Sequence, residues 1–196
     1  MDTNFSKIYS QVTDSEWDEL YKLRAAHGKF FSSTIHDGAS LKEMYYQSMK
    51  QEAAAKHIIE SMGYSVSYND TLRDVIYALP KYNSAVPDLS CFSPENGTML
   101  VEVKNIKFTA STHLRLKFNL WMRPGEFKSK QDVIDAIWKY DFHNADYVMF
   151  ITPNLKEYGF ISKNDITITA NDLPDFNTYG KTPVVFYADV SGWEKA

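Results

Sequence analysis

Two alternating stretches joined by a turn constrain this chain more than anything else in it. Residues 84–92 and 98–107 flank Pro94-Glu95-Asn96-Gly97, a run with strong reversal chemistry, so a β-hairpin is expected here. Side chains alternate faces along a strand. In the second arm, Met99, Val101 and Val103 therefore share one face, which must be core. Leu100, Glu102, Lys104 and Ile106 share the other. Two charges at this spacing are ordinarily a surface ion pair, but Leu100 and Ile106 pull against that reading, because a plain solvent face would be polar throughout.

The first arm carries Pro87-Asp88. Proline in a strand is confined to its start, an edge or a bulge, so the dipeptide marks a strand entry. Whether Asp88 can meet Glu102 depends on register, since residues paired across an antiparallel ladder point to the same face. A two-residue Asn96-Gly97 loop pairs Cys91 with Glu102 and puts Asp88 on the wrong face. A three-residue loop, Glu95-Asn96-Gly97, pairs Ser90 with Glu102 and Asp88 with Lys104, and all three ionisable groups then share a face. That loop wants glycine at its third position, where Gly97 stands. This register, or an equivalent bulge, is the expectation.

Asp88, Glu102 and the backbone carbonyl of Val103 make a hard oxygen donor set suited to Mg²⁺ or Mn²⁺. Such an ion polarises a phosphodiester and lowers the pKa of a bound water. Lys104 beside it can orient that water or stabilise developing negative charge. Pro87-Asp88, thirteen intervening residues and then Glu102-Val103-Lys104 resembles the signature of the PD-(D/E)xK nuclease superfamily, which includes restriction endonucleases, Holliday-junction resolvases and many phage enzymes. The resemblance implies an α/β domain with a restriction-endonuclease-like αβββαβ core and a mixed sheet flanked by helices. It also implies a Mg²⁺-dependent DNA endonuclease of phage or mobile-element type. A further glutamate often stands on the helix before the first strand, and Glu52 fits that place as a metal or water ligand; Gln51 and Lys56 are neighbours able to substitute. Two alternatives stay open: a catalytically silent DNA-binding or assembly module on the same fold, and a structure-selective resolvase acting as a homodimer. RNA is an open alternative substrate.

The elements expected around the hairpin fit that order. A first helix, capped by Thr13 or Asp14, runs towards Gly28, and a second spans about 40–62, stopped by Gly63. Residues 64–68 alternate like a strand. Residues 69–82 are ambiguous, with a short helix around 72–78. A helix over 129–140 and a buried strand over 145–152 follow the hairpin, with further strands over 160–168 and 184–190. The αβββαβ series covers about 40–152, with the first helix and the last strands outside it. No internal repeat or linker divides the chain, so a single domain is expected.

The net charge of −4 argues weakly against a polyanionic partner, but it is unevenly spread. The segment from Lys104 to Lys130 carries a formal +6 and the remainder −10, and the local field decides such contacts. Lys107, His113, Arg115, Lys117, Arg123, Lys128 and Lys130 are the candidate phosphate contacts, with Trp121 and Phe118 able to stack or pack. Each of these alone is a commonplace surface residue; the clustering is the signal. The histidines show no metal-ligand spacing. A lone cysteine, Cys91, no signal-peptide pattern and no membrane-length apolar run point to a reducing, cytoplasmic setting.

Overall fold

The computed structural model of the chain describes residues 38–69, 86–105, 113–152, 155, 157–189 and 191–195. The helix expected before Gly28 and the ambiguous 72–78 segment lie outside the described residues. Among the described residues two α-helices, α1 (Gly38–Ser61) and α2 (Lys130–Asp141), accompany nine strands. Six of these, β1 (Ser65–Tyr68), β2 (Leu89–Ser93), β3 (Gly97–Asn105), β5 (Tyr147–Ile151), β6 (Glu157–Ile161) and β9 (Ser191–Lys195), form one sheet in the order β1-β2-β3-β5-β6-β9. The second sheet is β4 (His113–Met122), β8 (Gly180–Asp189) and β7 (Ile166–Thr167), in the order β4-β8-β7. The β3–β5 pair is parallel and the pairs flanking it are antiparallel, so the larger sheet is mixed. A parallel pair needs a long crossover, and here β4 and α2 supply it.

Each helix buries a different face of the six-stranded sheet. Ala54, Ala55, Ile58 and Ile59 of α1 pack with Leu89, Cys91, Val101, Val103, Met149 and Ile151. Val133, Ile134, Ile137 and Trp138 of α2 pack with Val148, Phe150 and Ile161 and with the inner face of the three-stranded sheet, including Leu114, Leu120, Val184 and Phe186. The face assignment for Val101 and Val103 therefore holds. The opposite face, bearing Glu102 and Lys104, looks towards α2, because those residues pair with Val148 and Phe150.

The hairpin register differs from the expected one. Ser90 pairs with Leu100 and Leu89 with Val101, not Ser90 with Glu102, and the turn is Pro94-Glu95-Asn96, closed by Ser93 opposite Gly97. Ser93 Oγ accepts the Asn96 N–H at 3.0 Å, and Gly97 takes the left-handed conformation (φ 73°) one position beyond the turn. The ladder has slipped by two residues. An even slip preserves face parity, so Asp88 remains on the face of Glu102, now facing it across the extended register rather than facing Lys104.

Two more differences lie downstream. The basic segment after β3 contains a ten-residue strand, β4, that periodicity alone leaves hidden among its charges. The strand expected over 160–168 is two strands in different sheets, β6 and β7, separated by a 3-10 turn at Lys163–Asp165.

Helix α2 has defined ends. Ser129 and Asp132 form a reciprocal capping box at its start. At its far end His143 and Asn144 both sit at positive φ (55° and 57°), and the reversal is secured by Asn144 N–H to Trp138 O (3.1 Å) and Trp138 Nε1–H to Ala145 O (2.7 Å). Phe142, fully buried before that reversal, meets the rings of Phe118, Trp138, Phe150 and Phe186 edge-on. Phe142→Ala is expected to cost about 3–5 kcal/mol of stability, measured by denaturant unfolding; a loss under about 1 kcal/mol would show that the two sheets do not depend on this ring.

Candidate active site

The hairpin brings Asp88, Glu102 and Lys104 together. Asp88 lies just before β2 and is buried at 7% exposure; its Oδ2 accepts the Val103 N–H at 2.8 Å. A strand residue's N–H and C=O lie on the same side of the strand, so the Val103 carbonyl also faces the side of Asp88, past the last β2–β3 pair at Leu89–Val101. Glu102 is 2% exposed. Lys104 Nζ donates to its Oε1 at 2.7 Å, and His143 Nδ1 lies 3.1 Å from its Oε2.

Electrostatics follows from this packing. Burial alone pushes the Glu102 carboxyl up, but the approach of His143 and the charge of Lys104 outweigh it and hold the group below its ordinary value. Asp141, in the last turn of α2, goes the other way: burial raises it, and the nearby charges of Lys104 and His143 only partly oppose that rise. The cluster therefore comprises Asp88, Glu102, Lys104, Asp141 and His143, drawn from both hairpin arms and the end of α2.

Asn69 holds the first arm in place. Its backbone N–H donates to Asp88 O (3.0 Å), its Nδ2 to Pro87 O (3.0 Å), and its Oδ1 accepts from Ser90 Oγ (2.8 Å). The Pro87-Asp88 peptide is thus gripped from the residue after β1 as well as from β3.

Glu52 is buried on α1 at 3% exposure. Its helix covers the Val101–Val103 face of the sheet, the reverse of the face that carries Glu102 and Lys104. Its neighbour Gln51 donates to Ile151 O at 3.1 Å, fastening α1 to the end of β5, and Lys56 pairs with Glu60 at 3.3 Å.

The basic segment is dispersed. Arg115 and Lys117 are exposed on β4, Arg123 follows that strand, and Lys128 and Lys130 are exposed at the start of α2. The start of α2 is a twelve-residue helix away from His143, a distance of about 18 Å. Lys107 lies outside the described residues, and of His113 only the backbone position, at the head of β4, is described.

Asn69, Asp141 and His143 are absent from the sequence-based site. No local motif marks Asn69, which acts through strand register. Asp141 and His143 carry a usable signal: they bracket the end of an amphipathic helix that must pack on the face of Glu102.

As a metal site, the donors fit a hard divalent ion of the Mg²⁺ type, which binds through one or two carboxylates and retains water. The donors that would hold it are the buried carboxylates of Asp88 and Glu102 and the Val103 carbonyl on the Asp88 side of β3. Among the described residues no group of three or more His, Cys, Asp or Glu side chains is placed to hold a metal ion. No protein-family model and no curated protein matches the sequence.

Because the folded carboxyl of Glu102 titrates below its unfolded counterpart, its ionisation stabilises the fold at neutral pH. That contribution is lost as pH falls through the depressed folded value. Lys104→Met should move the Glu102 titration upward in carboxyl-resolved NMR and move acid unfolding to higher pH. An unmoved titration would show that the Lys104 charge does not hold the carboxylate.

Proposed function

We propose that this protein is a metal-dependent nuclease that hydrolyses DNA phosphodiester bonds, of the PD-(D/E)xK type. One observation carries the reading: the Val103 N–H to Asp88 Oδ2 bond ties the carboxylate of one hairpin arm to the residue standing between Glu102 and Lys104 on the other. The hairpin ladder alone sets positions 88 and 102 opposite one another; what favours the reading is that the Asp88 carboxylate is buried and bonded to the backbone between the two charged side chains.

In this reading Asp88, Glu102 and the Val103 carbonyl hold Mg²⁺ or Mn²⁺. When bound, the ion polarises the phosphoryl oxygen and favours ionisation of a water. The chain's own groups supply the rest. Lys104, as an ammonium, donates to the water or to the phosphoryl oxygens as negative charge builds on them, and it is no proton acceptor in that state. The attacking water gives its proton to solvent as its oxygen bonds to phosphorus, and the opposite P–O bond breaks with its electron pair leaving on the alkoxide oxygen, which takes a proton from solvent. His143 and Lys104 keep Glu102 ionised and oriented. Glu52 is the less supported member of the set, since its helix lies over the reverse face.

A second reading, a DNA-binding or assembly module without catalysis, draws on one feature: both Glu102 oxygens already have nitrogen neighbours. A cleavage assay on supercoiled, linear, branched and single-stranded DNA, with Mg²⁺ or Mn²⁺ and with chelator, separates the two. Lys104→Ala and Asp88→Asn should each lower cleavage about 100-fold or more while the far-UV spectrum is unchanged. Full-rate cleavage by either variant would remove this site, and DNA binding without turnover in any metal would favour the second reading.

A further inference from the structure

The three-stranded sheet has one face buried and one open. Leu114, Leu120, Val184, Phe186 and Ala188 point inward. Strand register places Arg115 beside Tyr187, Lys117 beside Val185 and Trp121 beside Lys181 on the outward face. Arg115, Lys117 and Lys181 are all exposed there, and Asp189, at the far end of β8, is the acid on that face. Trp121 is 57% exposed, and Tyr179, 72% exposed, meets it with ring centroids 6.0 Å apart at 75° to one another, so it is not stacked on the indole.

Cations on a border strand such as β4 are an ordinary defence against edge-to-edge pairing. That accounts for Arg115 and Lys117. It can account for Lys181 too, since β7 pairs β8 only at Tyr187 and Ala188, but not for an exposed tryptophan directly across from that lysine. An indole with cations spaced along the strands beside it matches a polymer that alternates flat rings with phosphates. Only unpaired bases offer their ring faces, since in a duplex those faces are stacked inside.

We infer that the outward face of the β4-β8-β7 sheet binds single-stranded DNA, with a base stacked on Trp121 and backbone phosphates on Arg115, Lys117 and Lys181. This rests on the reading of the chain as a DNA enzyme and names the strand form it holds. The charges are complementary to a polyanion although the whole chain carries −4. Base–aromatic stacking supplies affinity without sequence preference, and the phosphates supply salt dependence. The face is separate from the Glu102 cluster, so it holds substrate rather than acting on it.

The test is binding of a fluorescent oligodeoxythymidylate and of a duplex of equal length to the full chain, in chelator. Single strand should bind more tightly than duplex. Trp121→Ala should weaken it about 5- to 100-fold, and the logarithmic salt slope should be about −2, as expected for three phosphate contacts. Lys117→Gln should make that slope shallower, and Tyr140→Ala, an exposed aromatic on α2, should change nothing. Equal or tighter duplex binding, or full affinity in Trp121→Ala, would overturn the proposal. Trp121-dependent strand binding in a protein that cleaves no nucleic acid would sink the nuclease reading and leave this surface standing. Cleavage without such binding would do the reverse.

Discussion

A carboxylate removed from water must be held by other polar groups or give up its charge. Glu102 satisfies this with two partners from different parts of the chain: Lys104, two positions on in the same strand, and His143, beyond the end of α2. Burying it between the sheet and the helix end therefore fixes more than one residue. It sets the face that β3 turns towards α2, the point at which α2 must stop, and the side on which Asp88 approaches. An apolar residue at position 102 would fill the same space without specifying any of these.

The larger sheet is buried by different means on its two faces. Under α1 the helix contributes small and aliphatic side chains, with Tyr158 buried in the same cluster, and Gln51 fastens the helix to the end of β5. Under α2 they are aromatic, with Phe142 among four other rings, until the ionic cluster begins. The polar site lies where the aromatic packing runs out. This places charged groups at the margin of a dry core, where electrostatic interactions are stronger than in water and Lys104 still reaches solvent. The buried thiol of Cys91, under α1, is pushed up to about 12 by burial and by nearby Glu60, which leaves it a packing residue.

The hairpin and its ionic trio were legible in the sequence because alternation and turn chemistry are local properties. The register was legible only in its parity. Gly97 marks where the chain must turn left-handed, but whether it closes the loop or follows it depends on the Ser93–Asn96 contact and on packing under α1, which no window of the sequence contains. Strand β4 was hidden for a related reason. Its outward positions are Arg115, Lys117, Asn119 and Trp121, so charge dominates a segment whose inward positions, Leu114, Leu116, Phe118 and Leu120, alternate as a strand should. The contribution of Asn69 and His143 comes from tertiary approach alone, and Glu52 shows the converse: its spacing along α1 is suggestive, yet the face that α1 covers is set by Ala54, Ile58 and their neighbours. The mixed α/β architecture is thus secure from pattern, while the closer family assignment rests on the motif.

The paired left-handed residues after α2 give the helix a fixed length. Leaving a helix through two consecutive non-glycine residues at positive φ is unusual, and here it swings His143 back onto Glu102. Deleting one residue from α2 would turn everything beyond the deletion by about 100° and draw it back about 1.5 Å, carrying the imidazole away from the carboxylate. The same deletion would misalign Phe142 with its surrounding rings. Among descendants of this chain, α2 should therefore tolerate substitution on its exposed side far better than any change in the number of its residues, a rigid ruler between the aromatic core and the ionic cluster.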